Sequence, residues 1–164
     1  MIRRSGTYAA AELVVEADEA LAALGTTREN ASRSADKDVL MKRFTIDARQ
    51  VKSFADFVAA ANAGFIESVG GEWNGNLDAF NDYLSWPEEQ EYELELVDAD
   101  RLAKCLGHVA QADWLRAHLQ TCHPSNVVDT ESRLALAQAG QGETLFDVVQ
   151  EIITHNPHVH LVLR

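Results

Sequence analysis

Segments patterned like strands are few in this chain, and long stretches of helical periodicity separate them. Phe44 and Ile46 alternate with polar neighbours. Tyr92, Leu94 and Leu96 do the same, interleaved with Glu91, Glu93 and Glu95, which reads as a half-buried strand. Residues 158–163 end in a continuous apolar run, the pattern of a buried parallel strand. Strands spaced this widely cannot be joined by tight hairpins, and helices between them serve as crossovers to a parallel sheet. The expected fold class is α/β, two layers with one small sheet.

The helices between these strands carry their own punctuation. Ser53 with Asp56 three residues later resembles a capping box, and Phe54, Phe57, Val58 and Ala61 form one face behind it. A glycine-marked loop follows at residues 70–75, and Asn76 is a suitable N-cap for a helix striped by Leu77, Phe80 and Leu84. Residues 99–122 read as helical, with Leu102, Cys105, Leu106, Trp114, Leu115 and Leu119 inward. Pro124 marks a break, and a short helix is expected over 130–139. Leu145, Val148, Val149, Ile152 and Ile153 define a last helix that stops at Asn156 and Pro157.

Residues 1–40 read as an appendage to a domain at 41–164. Leu13, Ala17, Leu21 and Leu24 recur at helical spacing, Gly25 sits where a C-terminal cap belongs, and residues 26–38 are polar without periodicity. Met41 opens the first strand segment and is an alternative start of translation.

Charge narrows the function. Twenty-six Asp and Glu face fourteen Lys and Arg, a formal net charge of -12. Such a surface repels phosphate backbones and attracts basic partners, which argues against direct nucleic-acid binding. No run of residues is apolar enough to span a bilayer or serve as a signal peptide, and Cys105 and Cys122 do not make a disulfide framework. The expectation is a soluble protein of a reducing cytoplasm, with no membrane partner.

The acidic excess is concentrated. Glu72, Asp78, Asp82, Glu88, Glu89, Glu91, Glu93, Glu95, Asp98 and Asp100 lie in a stretch without a single Lys or Arg. Asp78 and Asp82 are four apart on the helix after Asn76, on a face other than that of Leu77, Phe80 and Leu84. Two like charges at this spacing cost an isolated helix about 0.2–0.5 kcal/mol, and only Asp78 is close enough to the helix start to gain from the macrodipole. Trp73 precedes this helix and Trp86 follows it. Trp73 is read as an exposed aromatic contact beside the acids. Trp86, next to Pro87, is assigned to the core.

The segment Trp73-Asn74-Gly75-Asn76-Leu77-Asp78-Ala79-Phe80-Asn81-Asp82-Tyr83-Leu84 resembles the signature of the barstar family of ribonuclease inhibitors. That family has an aromatic-Gly lead-in, an Asn-Leu-Asp-Ala helix start and a second Asp four residues after the first. Residues 41–47 look like its opening strand and residues 143–163 like its closing helix and strand, with Glu151 where members carry a partner-facing acid. The longer middle, including Cys122-His123-Pro124-Ser125-Asn126, is similar to a bacterial barstar-related subgroup.

The resemblance implies a three-stranded parallel sheet packed with about four or more helices. It also implies that the second helix and its preceding loop enter an enzyme's active-site cleft. Asp82, Asp78 and Glu151 would then stand in for substrate phosphates against Arg, Lys and His of a ribonuclease, with Trp73, Gly75 and Asn81 beside them. Carboxylates accept bidentate bonds from Arg as phosphates do. The function so implied is one-to-one inhibition of a basic ribonuclease, with no cofactor and no catalysis. Three features depart from the family. Asn81 stands where members often carry Trp, Glu72 stands where the founding member has an aromatic, and Gly75 is displaced by one place. These changes keep the acid pair and alter the apolar contacts that select a partner.

Three rival readings follow from the same residues. Cys105-x2-His108 and His118-x3-Cys122-His123 have zinc-ligand types and spacings, but helical periodicity places them equally well in packing. Asp78, Asp82 and Glu151 could form a hydrolytic acid–base set, yet there is no nucleophile elbow, P-loop or dinucleotide fingerprint. An immunity protein for a non-ribonuclease toxin, or a general protein-interaction module, would keep the fold and change the partner.

Overall fold

The computed structural model describes residues 41–89 and 91–164. The helix expected within residues 10–24, the linker after it and the appendage as a whole lie outside the described residues.

The chain runs β1 (Lys42–Asp47), α1 (Phe54–Gly64), a 3-10 turn (Ile66–Val69), α2 (Leu77–Tyr83), β2 (Tyr92–Val97), α3 (Ala99–Cys105), α4 (His108–His118), a second 3-10 turn (Pro124–Asn126), α5 (Val127–Gln138), α6 (Leu145–Thr154) and β3 (Val159–Leu163). The class is α/β, with a three-stranded sheet in the order β1-β2-β3. Both pairings are parallel, Lys42 to Asp47 against Tyr92 to Val97, and Tyr92 to Leu96 against Val159 to Leu163.

The period of two along each strand decides what the sheet can cover. Phe44, Ile46, Tyr92, Leu94, Leu96 and Val159 point to one face and are buried with Phe57, Phe65, Phe80, Leu102, Leu145, Val149 and Ile153 from the helices. The opposite face is polar and closed by its own ion pairs. Arg43 Nε meets Glu93 Oε1 at 2.5 Å, Arg164 Nε meets Glu95 Oε1 at 2.6 Å, and Thr45 Oγ1 donates to Glu95 Oε2 at 3.2 Å. Glu95, held by two of these contacts, is only 7% exposed.

Local chemistry sets the helix starts. Ser53 Oγ accepts from Asp56 N at 3.2 Å, while Asp56 Oδ2 takes Lys52 N at 3.0 Å. Thr144 and Asp147 form a full capping box at α6, each accepting the other's backbone N–H. At its far end α1 lies directly on β1. A Cβ on Gly64 would collide with the Thr45 carbonyl, so glycine is required by that approach.

Three expectations need correction. The helical stretch expected over 99–122 ends at His118 and is divided into α3 and α4, because the Leu106 carbonyl accepts from Phe146 N at 2.9 Å and Gly107 follows it. A bond from so far along the chain redirects the backbone at that point, and Leu106 itself is buried. The helix expected over 130–139 begins earlier, as α5, and packs on α4 through Ala112, Leu115 and Ala137. Finally, β3 is not a buried strand. It forms one edge of the sheet, with His160 exposed and Leu163 44% exposed.

Candidate protein-binding surface

Helix α2 starts where Asn76 caps it. The Asn76 side-chain oxygen accepts from Asp78 N at 2.8 Å and Ala79 N at 3.1 Å, satisfying two donors that a helix start leaves open. The loop before the cap is fixed from within. Asn74 Oδ1 accepts from Asn76 N at 3.1 Å. Gly75 has φ +96°, and a Cβ there would press on the Phe54 ring at 3.2 Å, so both the backbone and the space call for glycine. Asn62, on α1, donates from Nδ2 to Trp73 O at 2.8 Å and accepts at Oδ1 from Trp73 N at 2.7 Å. Tyr83 OH donates to Glu72 O at 2.9 Å.

The two flanking tryptophans hold the reverse of their expected places. Trp73 is 2% exposed and packs on Phe54, Phe57 and Phe80, with ring centroids 5.9, 5.8 and 4.7 Å away. Its Nε1 donates to Asn76 O at 2.6 Å, so the polar end of the indole is satisfied inside. Trp73 is therefore a core residue that shapes the loop from beneath. Trp86 is 50% exposed and rests edge-on against Tyr83, centroids 4.6 Å apart. The aromatic beside the acids is Trp86.

Asp78 and Asp82 stand exposed on the outer face of α2, one turn apart. Neither carboxylate has a hydrogen bond or ion pair among the described residues. Asn81 is also exposed, but its Oδ1 accepts from Asn156 Nδ2 at 3.0 Å. Because Asn156 also donates to Ile152 O at 2.8 Å at the end of α6, this bond brings the two helices alongside each other. Glu151 is exposed on α6, its Oε1 3.9 Å from His155 Nδ1.

The acidic stretch divides in two. Lys42 Nζ reaches Glu89 at 2.9 Å, and its hydrogen bond holds that carboxyl below the usual range. Arg43, Arg164 and His160 engage Glu93, Glu95 and Glu91 across the strands. Glu72, Asp78, Asp82 and Glu88 have carboxylates without a hydrogen bond or ion pair among the described residues. Four of the uncompensated carboxylates of this stretch thus lie on α2 and the loops at its two ends. Asp98 and Asp100, at the start of α3, also have no hydrogen bond or ion pair from their carboxylates among the described residues.

Beside the loop and α2 lies an open groove of about 1160 Å³, with Asn74, Gly75 and Asp78 on one wall and Val109, Asp113 and Trp114 of α4 on the other. Sequence reasoning missed it, since α4 is placed by its packing on α5 and α6. Cys122 and His123 also line it, but their side chains are used locally, His123 Nδ1 lying 2.8 Å from Ser125 Oγ. No group of three His, Cys, Asp or Glu among the described residues is arranged to hold a metal ion. No described helix is long and apolar enough to cross a membrane. What the surface offers is a set of free carboxylate acceptors on a rigid helix, suited to guanidinium and ammonium donors.

No family model matches the chain, and no curated protein and no solved structure matches it either.

Proposed function

We propose that this chain is a proteinaceous inhibitor of a basic ribonuclease, of the barstar type its signature segment resembles. One observation carries the reading: Asp78 and Asp82 are exposed on α2 with no hydrogen bond or ion pair among the described residues, between the equally unpaired carboxylates of Glu72 and Glu88. A helix tolerates adjacent like charges at a small cost, and an external cation repays it. In this reading the protein works in the cytoplasm without a cofactor, performs no catalysis and binds neither nucleic acid nor membrane. Asp82 and Asp78 meet the enzyme's cations first, Glu151 extends the acidic contact from α6, and Trp86 supplies apolar area at the rim. Trp73 and Gly75 act by shaping the loop.

A second reading keeps the surface and changes the partner. Asn81 is engaged with Asn156 and Trp73 is buried, so two positions that the resemblance assigns to contact are otherwise occupied. This favours an immunity protein for a basic toxin outside the ribonucleases. The deciding experiment titrates the protein into a panel of secreted microbial ribonucleases while following RNA cleavage. Inhibition complete at one equivalent, weakened by salt and by Asp82→Ala, supports the first reading. A panel left fully active transfers the surface to the second.

A further inference from the structure

The sheet has two edges, and only one of them is guarded. In β3 the ladder bonds run through alternate residues: Tyr92 N donates to His158 O at 3.1 Å, and Arg164 N donates to Leu96 O at 3.0 Å. With the register of Tyr92 on Val159 through Leu96 on Leu163, the even-numbered residues of β3 face β2. The backbone N–H and C=O groups of Val159, Leu161 and Leu163 therefore point away from the sheet. One of these is already used, since Val159 N donates to Asn156 O at 3.0 Å. The N–H groups of Leu161 and Leu163, and the three carbonyls, have no such bond among the described residues.

Protein edges are commonly protected by charge, proline or a bulge. The outer edge of β1 has charge, in Lys42, Arg43 and Asp47. The β3 sequence Val-His-Leu-Val-Leu has no carboxylate, lysine or proline. The carboxylates next to it are engaged, Glu91 with His160 at 3.4 Å and Glu95 with Arg164 at 2.6 Å. In a chain of net charge -12, this edge meets a second copy without like charge.

We propose that two copies of this chain associate through β3, antiparallel and centred on Leu161, joining two three-stranded sheets into one. The bonding pattern points to a second copy rather than a foreign strand, because it is self-complementary. Leu161 of each copy exchanges both of its backbone bonds with Leu161 of the other, and Leu163 N–H meets the Val159 carbonyl opposite. Every free edge donor is then satisfied. Val159 N–H, which this register would otherwise pair, is the donor already tied to Asn156. The side chains agree: Leu163, 44% exposed in one copy, comes to lie beside Val159 of the other.

Two short strands make a small contact, so association is weak and must be measured at high concentration. Sedimentation equilibrium of the full chain from about 10 µM to about 1 mM spans the range expected of so limited an interface. The mass should rise from 18.1 kDa toward twice that value. Leu163→Lys, a surface change whose fold is checked by circular dichroism, should weaken association at least tenfold. Hydrogen exchange should show the Leu161 and Leu163 amides protected in concentrated protein and open in dilute protein. A mass fixed at 18.1 kDa throughout overturns the proposal. So does a dimer that survives Leu163→Lys, or one in which those two amides exchange freely.

Discussion

The Asn62 side chain grips the backbone of Trp73 from both sides, donating at 2.8 Å and accepting at 2.7 Å. This is the pairing a neighbouring strand would give, supplied instead by one side chain of α1, and it anchors the loop that leads into α2. Asn62→Asp keeps the acceptor and loses the donor, and Asn62→Ala loses both. Leaving a half-buried backbone group unpaired costs about 1–3 kcal/mol, so both variants should unfold at lower denaturant concentration, alanine more than aspartate. A urea melt that ranks them the other way would show that the loop is held by other contacts.

The two tryptophans separate stability from binding. Trp73→Ala removes a ring enclosed by Phe54, Phe57 and Phe80 and should cost about 3–5 kcal/mol of fold stability. Trp86→Ala removes a half-exposed ring and should change stability by about 0.5 kcal/mol or less, the range of ordinary surface changes. On the proposed function, Trp86→Ala weakens partner binding while the melt stays where it was. The reverse pattern of melts would return Trp73 to the surface.

The capping box of α6 predicts a pH dependence. Hydrogen bonds from the Thr144 backbone N–H and hydroxyl, at 2.8 and 2.7 Å, hold the Asp147 carboxyl below its ordinary value. A group depressed on folding stabilises the fold above its unfolded pKa, and that contribution is lost as pH falls through the folded value. Asp147→Asn should therefore melt earlier than wild type at neutral pH. The gap should close as the solution is acidified below the ordinary aspartate range. A gap that stays constant down to pH 2 would remove the carboxylate's charge from the explanation.

Tyr92 sets the opposite limit. Its ring is fully buried and its hydroxyl donates to Leu84 O at 2.7 Å. Burial raises the phenol well above its ordinary value. A raised pKa gives stability that is complete below the unfolded value near 10 and is lost as pH rises toward the folded one. Wild type should lose stability in alkali above about pH 10. Tyr92→Phe, weaker at neutral pH through the lost hydrogen bond, should have a flatter alkaline limb. Parallel limbs in the two proteins would place the sensitivity elsewhere.

What was legible in the sequence was local. The Asn76 cap, the Ser53 cap with Asp56 and the exposed spacing of Asp78 and Asp82 depend on residues within one turn of each other, and the structure has them as expected. What was not legible depends on distant partners. Trp73 and Trp86 are alike in sequence, and only the arrival of Phe54 and Phe57 from α1 makes one of them core. The break between α3 and α4 follows from a bond to Phe146, and the apolar run of β3 reads alike at the centre or the edge of a sheet. Glu89, Glu93 and Glu95 are paired with Lys42, Arg43 and Arg164, partners far away in sequence that only the folded sheet brings alongside.

The acid pair itself gives a test that needs no partner. Asp78 lies in the first turn of α2, where the macrodipole favours an anion by about 0.3–1 kcal/mol, whereas Asp82 lies a turn further on and feels mainly Asp78. Asp78→Asn should therefore lower stability slightly, and Asp82→Asn should leave it unchanged or raise it, since it relieves an i, i+4 repulsion of about 0.2–0.5 kcal/mol. Both differences should shrink in 1 M salt, where the screening length is about 3 Å. If the proposed function holds, binding moves against stability at Asp82: the variant that folds at least as well as wild type binds its enzyme at least about 30-fold more weakly, the effect of removing a central interface residue worth about 2 kcal/mol. A variant that gains stability and keeps full inhibition would leave the pair as a solvated surface and take the site away from α2.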